Sequence, residues 1–517
     1  MSYRIGIDVG GTNTDAVLLD ENKNIIASGK TPTTEDITSG IYNSLDKVLD
    51  EAKIDVKQVK YVMLGTTHCT NAIVERKGLR RVAVVRLGKP ATLAIKPMVG
   101  WPEDLVEAVG GKYYILTGGH EFNGQELSHL DNEEINKIAE EIDGNFDAVA
   151  LTSVFSPVNT EHEEKAAKIL REKLGEKVNI SLSHEIGSIG LIERENATIL
   201  NASLAGVIQK LTAGFKEALR RRGIEATFYL AQNDGTLMAV DYAVRYPITT
   251  IASGPTNSLR GAAYLSDIKD AVVVDVGGTT SDIGVLVNGF PRQSSVAVEI
   301  GGVRTNFRMP DLISIGIGGG SLVKEKEGKV LVGPESVGAN LEKEALIFGG
   351  DKLTASDIAV AAGLAVMGDP QRVKGLDRNL VEKALAKIKE MIEENIDKIK
   401  TTAGDVPLII VGGGSVLLPQ DIKGCSKIFR PSHYEVANAI GVAIAQVGAE
   451  IDRIFSLDAM SRAKAIRAAE EMATEECIKA GAAKDTIEIV EKEDIPLAYL
   501  PGNATRIKVK AAGNLVS

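Results

Sequence analysis

Asp8-Val-Gly-Gly-Thr-Asn-Thr-Asp15 returns later in the chain as Asp275-Val-Gly-Gly-Thr-Thr-Ser-Asp282, with six of eight positions identical. Each octet follows an apolar run and is followed by another, AVLL at 16–19 and IGVL at 283–286. A strand, a glycine turn and a second strand are therefore encoded twice. The paired glycines, Gly10 and Gly11 and then Gly277 and Gly278, let a turn bring its N–H groups close to phosphate oxygens. Thr12, Thr14, Thr279 and Thr280 add hydroxyl donors. Asp8 and Asp275 end the leading strands, where a carboxylate can hold Mg²⁺, through water as that ion prefers. Asp15 and Asp282 close the octets and read either as a base or water-orienting group or as turn-capping carboxylates. Two such turns facing one another make a clamp for a polyphosphate.

A third glycine element follows an apolar strand. Leu408-Ile-Ile-Val411 runs into Gly412-Gly413-Gly414-Ser415, and a glycine turn between strand and helix leaves room for an adenine and its ribose. The stretch from Gly316 to Ser321 has the look of a dinucleotide loop, but the GxGxxG pattern fails at position 321 and no acidic residue stands at ribose distance in a βαβ unit.

Composition narrows the classes further. The 517 residues exceed one hydrophobic core and suffice for two or three domains. A net charge of −11 and 4% aromatics argue against a nucleic-acid scaffold or a base-stacking platform. Cys69, Cys425 and Cys477 are few and far apart, which excludes a disulfide framework and a CxxC motif. No apolar run approaches the roughly 18 residues of a membrane helix, and Asp8 interrupts the first apolar stretch, unlike a secretory signal. The expectation is a cytoplasmic protein with no membrane or nucleic-acid partner.

Strands alternate with helices along most of the chain, an α/β pattern. Strands are expected at 3–8, 15–19, 24–27, 59–64, 81–85, 148–151 and 228–230, with helices at 37–52, 67–77, 160–174 and 187–222. The opening pattern restarts at 271–274, 283–287 and 294–299, followed by a charged helix at 379–400, a strand at 408–411 and a small-residue helix at 433–451. Three units result: an N-terminal half at 1–265 with a loop-bearing insertion at about 88–131, a second half at 266–455, and an α+β appendage at 456–517.

The order of two phosphate loops and an adenosine loop resembles the actin, sugar-kinase and heat-shock-chaperone superfamily of ATPases. More closely, the span 3–450 resembles the hydantoinase A / 5-oxoprolinase family. The residues that carry it include IGIDVGGTNTDAVL (5–18), GTTHCTNAIVER (65–76), SHEIGSIGLIERENATILNASL (183–204), AQNDGTLM (231–238), ASGPTNS (252–258), DVGGTTSDIG (275–284) and GGVRTNFRMPDLISIGIGGGS (301–321). His68-Cys69 stands where many relatives carry apolar residues.

The resemblance implies two RNase H-like half-domains closing on ATP, with helices 187–207 and 435–447 at the hinge. It implies ATP- and Mg²⁺-dependent opening of a cyclic amide by phosphorylation of its carbonyl oxygen, in an oligomer and with a hydantoinase B-like partner subunit. The residues it would bring to the γ-phosphate are Thr66, Thr67, Asn71, Ser253, Asp311 and the 316–321 loop with Gly318 and Gly319. Related chemistries are an ATP-dependent carboxylase subunit or a small-molecule kinase. A non-catalytic ATP-driven switch is the alternative of a different class.

Overall fold

The computed structural model describes residues 2–33, 37–294, 297–458, 460–498 and 503–516. Each octet forms a tight turn between two strands because its flanking apolar residues are buried in a sheet while the glycines bend at its edge. The first unit comprises β1 (Tyr3–Val9), β2 (Asn13–Leu19), β3 (Ile25–Pro32), β4 (Val59–Thr66) and β5 (Thr227–Ala231). The second comprises β6 (Ala271–Val276), β7 (Ser281–Val287), β8 (Leu312–Ile315), β9 (Val406–Val411) and β10 (Cys425–Phe429).

In the first unit β1, β2 and β3 form an antiparallel meander, while β4 and then β5 add in parallel on the other side of β1. In the second, β7 pairs antiparallel with β6 and β8 antiparallel with β7, while β9 and then β10 add in parallel on the other side of β6. The two units therefore share one RNase H-like strand order. The duplication read in eight residues extends to five strands.

Three helices matter for the site: α1 (Leu191–Arg221), α2 (Ser253–Ser266) and α3 (Ala437–Ile444). The long α1 does not lie at the hinge, as 187–207 was expected to. It packs between the first sheet and a separate four-stranded parallel sheet, in the order 113–117, 82–89, 148–153, 179–182. Arg86 and Glu195, both fully buried, tie that sheet to α1 through two hydrogen bonds of 2.7 and 2.5 Å. The region 88–131 is thus more than loops, since it supplies helix Glu103–Val109 and edge strand Tyr113–Thr117. The helix pair at the crossing between the halves is α2 with α3.

The small-residue helix expected at 433–451 stops at Ile444, and Val447–Ser456 is a strand. Val447, Ala449 and Ile451 are buried at every second position, a strand period that a run of small residues disguises. This strand, with Ala504–Gly513 and Glu488–Pro496 beyond it, extends the first sheet through Leu237–Ala239 to nine strands. The two strands of the region expected as an α+β appendage, 456–517, therefore belong to the first sheet. The third strand expected at 294–299 is reduced to Val298–Ile300, paired with Val303–Thr305 in a separate hairpin; residues 295–296 lie outside the described residues. Among the described residues no helix is long and apolar enough to cross a membrane.

Candidate functional site

The two glycine turns are closed in the same way. Gly10 N–H donates to the Asn13 carbonyl at 3.0 Å, and Gly277 N–H to the Thr280 carbonyl at 2.9 Å. The register sets Asp8 opposite Asp15 and Asp275 opposite Asp282. The turns also meet: a Cβ added to Gly278 would lie 3.4 Å from the Thr12 side chain. Between them, the backbone N–H groups of Gly11, Thr12, Gly278 and Thr279 have no protein acceptor among the described residues.

The four carboxylates are buried or nearly so, and burial pushes all four upward. Asp8 is raised to about 6 by burial; amide bonds from Asn257 and Asn438 oppose the rise, and the charges of Asp15 and Asp275 add to it. Asp282 is raised to about 6 by burial, against a hydrogen bond with Ser314. Asp15 rises through burial against Lys30, whose ammonium sits 2.6 Å away. Asp275 rises through burial, opposed first by Ser258 and then by Lys30.

The groups that orient these carboxylates come from the crossing helices. Asn257 Nδ2 donates to Asp8 Oδ1 at 3.0 Å, and Asn438 Nδ2 donates to Asp8 Oδ2 at 3.1 Å and Asp15 Oδ2 at 2.7 Å. Ser258 Oγ donates to Asp275 Oδ2 at 2.5 Å. None of Asn257, Ser258, Asn438 or Lys30 was singled out from the sequence. The first three stand inside ASGPTNS and ANAIGVAIAQVG, and the signal available there was a polar side chain within the first two turns of a small-residue helix.

A second duplication lies beside each aspartate. On β4, Gly65 is paired with Asp8, and a Cβ there would sit 2.2 Å from Asp8 Oδ1. Gly412, just past β9, has φ of +87°, and a Cβ there would sit 2.2 Å from Asp275 Oδ1. Both carboxylates occupy space that a neighbouring side chain would fill. Gly414 N–H donates to the Val276 carbonyl at 2.8 Å, Gly413 is open to solvent, and buried Ser415 begins a single 3₁₀ turn rather than a helix.

Other expected residues are placed differently. Thr14 is fully buried, and its hydroxyl pairs with that of Thr33 at 3.2 Å instead of facing the turn. Gly318 and Gly319 lie under the second turn, with Gly319 N–H on the Gly277 carbonyl at 3.0 Å, so they brace that turn. A Cβ on Gly318 would meet the Gly278 carbonyl carbon at 2.6 Å. Asp311 is engaged by Arg292, 2.6 Å away, and is not joined to either turn. Thr66 Oγ1 is hydrogen-bonded to His68 Nδ1, and Ser253 Oγ donates to the Thr66 carbonyl at 3.3 Å. Ser253 is the first residue of α2. Thr67 Oγ1 reaches the Val9 carbonyl at 3.4 Å, beside the first turn. Asn71 lies on the exposed face of helix His68–Glu75. Thr12, Thr279 and Thr280 are partly or fully exposed at the turns.

Comparison with known proteins identifies the family. The family model for the hydantoinase/oxoprolinase N-terminal region matches residues 4–174, and that for hydantoinase/oxoprolinase matches 194–366. The chain belongs to the hydantoinase/oxoprolinase family. Caprolactamase subunit alpha of Pseudomonas jessenii is 29% identical over 71% of this chain and 55% of its own. Acetophenone carboxylase gamma subunit of Aromatoleum aromaticum is 29% identical over 69% of this chain and 53% of its own. The chain thus spans about half the length of these curated relatives. The crystal structure of the ATP-dependent caprolactamase from P. jessenii shares the fold, with TM-score 0.78 at 21% identity over 99% of this chain and 88% of that one.

Proposed function

We propose that this chain uses ATP to phosphorylate the carbonyl oxygen of a cyclic amide (a hydantoin, 5-oxoproline or a related lactam), opening the ring in concert with a hydantoinase B-like partner subunit. The observation that carries the proposal is the contact of two like turns, with four backbone N–H groups between paired aspartates that lack a protein acceptor among the described residues. That donor set suits the tail of a nucleoside triphosphate. The carboxylates of Asp8, Asp15 and Asp275 raise one another or share Lys30, a concentration of negative charge suited to a divalent cation. Among the described residues no three metal-type side chains gather closely enough to ligate an ion directly, which suits a hydrated one. Asp8 and Asp275 would hold Mg²⁺ through water, and the ion would supply charge neutralisation at the phosphoryl groups.

An unstrained amide resists water at neutral pH. Attack of its oxygen on the γ-phosphorus releases ADP and leaves the carbon electrophilic. One water adds there, the C–N bond breaks as nitrogen takes a proton, and a second water releases phosphate. ATP and two waters thus yield ADP, phosphate and the open amino acid. The turn amides of Gly11, Thr12, Gly278 and Thr279 and the hydroxyls of Thr12, Thr279 and Thr280 would hold the triphosphate in line. Asp15 and Asp282, opposite the two leading aspartates, would orient water or take its proton. Gly412, Gly413, Gly414 and Ser415 would flank the adenosine; Thr67 and Asn71 would face the acceptor.

The equal identity to an acetophenone carboxylase subunit favours a second reading, in which the same phosphorylation activates a ketone or bicarbonate. Phosphate release with a panel of lactams, hydantoins, and ketones plus bicarbonate separates the two. Turnover stimulated by a lactam or hydantoin supports ring opening, and stimulation by a ketone with bicarbonate supports carboxylation. Phosphorylated product would mark a small-molecule kinase, and turnover indifferent to every acceptor a switch. Failure to bind nucleotide at all refutes the proposal.

A further inference from the structure

The helices that carry the chain between the halves cross with a reciprocal fit. A Cβ on Gly261 of α2 would lie 1.8 Å from the Ala437 carbonyl oxygen, and one on Gly441 of α3 would lie 1.9 Å from that of Asn257. Each glycine stands four residues beyond the carbonyl that the other one meets. Position 257 therefore matches 437 across a local two-fold relation, and 258 matches 438.

α3 lies on the first sheet, whereas α2 runs from the first half to the second: Ser253 Oγ donates to the Thr66 carbonyl of β4 at 3.3 Å and Thr256 Oγ1 to the Asn233 carbonyl at 3.2 Å, and its later turns face the second sheet. Leu259 and Ala262 of α2 pack with Val273, Leu286 and Ile409 of the second sheet, whereas Ala439, Ile440 and Ala443 of α3 pack with Val17 and Leu19 of the first. Ser258 holds Asp275 of the second sheet, and its counterpart Asn438 holds Asp8 and Asp15 of the first. These bonds stay within one half and move with it.

Asn257 breaks the symmetry. It adjoins Ser258, which holds Asp275 of the second sheet, yet its own amide donates at 3.0 Å to Asp8 of the first. Its counterpart on α3 is Ala437, whose side chain has no donor, so no reciprocal tie reaches Asp275 from there. Gly65 makes room for the crossing, since a Cβ there would lie 2.4 Å from Asn257 Nδ2. Asn257 is 2% exposed, so neither water nor a mobile side chain readily replaces this bond.

We propose that Asn257 is a positioning residue that ties Asp8 to the second half, so that the Asp8 carboxylate takes its working orientation only when the halves are closed. The inference rests on the nucleotide reading above. Closure and aspartate orientation are then one motion, with the amide as the link.

Spin labels on Lys57→Cys in the first half and Glu394→Cys in the second, both exposed, report the separation of the halves. Cys425→Ser removes the partly exposed native thiol, while Cys69 and Cys477 are buried. With Mg²⁺ and a nonhydrolysable ATP analogue, the interspin distance in the otherwise native chain should shorten and narrow. In Asn257→Ala the analogue should still bind within about threefold, the distance should keep its nucleotide-free breadth, and kcat should fall about 10- to 100-fold with KM little changed, the scale of a misplaced catalytic group. Asn257→Ser, polar but too short to span the seam, should behave alike and covers the case of an unfolded alanine variant. A role confined to packing would lower the melting temperature and leave closure intact. If both variants close like the native chain and keep kcat within about twofold, the tie is refuted alone. A native chain that binds no analogue refutes the nucleotide reading together with it.

Discussion

Asp8 and Asp275 are held by side chains whose only evident task is to orient them, and this sets the expectations at the scale of single residues. Asp8→Ala and Asp275→Ala should each abolish ATP turnover, measured as phosphate release, while the circular dichroism spectrum stays native. Near-normal turnover in either would show that the turns do not hold the triphosphate. Asp282 carries the clearest pH signature. Its folded-state pKa, raised to about 6, favours the protonated form, so it stabilises the fold below about pH 4 and that contribution is lost as pH rises through 6. Asp282→Asn should therefore gain about 1–3 kcal/mol at pH 7.5 and little at pH 4.5, read by thermal melts, while losing activity. Gly65→Ala places a methyl 2.2 Å from Asp8 Oδ1 and should cost about 1–3 kcal/mol and nearly all turnover. Gly413→Ala, with open space around it, is the matched control and should change stability little.

Among elements, the crossing of α2 and α3 is the least tolerant of added volume. Gly261→Ala would drive a methyl into a backbone carbonyl that has no room to retreat, because both helices are packed on sheets. The expected loss is about 3 kcal/mol or more, seen as a lowered denaturation midpoint together with weaker nucleotide binding. Unchanged stability would mean that the helices separate easily and cannot act as a pivot. The hairpins themselves were readable as elements because glycine pairs, flanking apolar runs and repetition coincide within eight residues. Strand Val447–Ser456 was not, because a run of alanine, glycine and valine satisfies a helical and a strand period alike until the neighbouring strands are known.

At the scale of the molecule, the C-terminal strands complete the first sheet. Lys510, 2% exposed, reaches Asp234 at 3.1 Å, and Arg308 reaches the same carboxylate at 3.2 Å, so the last strand, the turn after β5 and the segment around Arg308 meet at one buried charge. Removing residues 457–517 would strip Lys510 from buried Asp234, leaving that carboxylate to Arg308, and expose the edge of Val447–Ser456. The truncated chain should aggregate, as seen by light scattering. A soluble, nucleotide-binding truncation would show instead that the added strands are dispensable to the fold. A nonhydrolysable ATP analogue should also slow proteolysis at the seam between the halves, and an unaltered digestion pattern would argue against closure.

The sequence by itself determined the duplicated turn, the α/β class, the family and the positions of the four aspartates, because these depend on residues adjacent in the chain. Only the tertiary structure decided which helices cross, that Thr14, Gly318, Gly319 and Asp311 serve the scaffold, and that Asn257, Ser258 and Asn438 hold the carboxylates. Those assignments depend on which strand lies beside β1 or β6 and on how closely two backbones approach. Some of these contacts join residues hundreds of positions apart, as Asn257 and Asn438 with Asp8, and others join nearer ones, as Ser258 with Asp275, but no local period or spacing fixes which pairs meet.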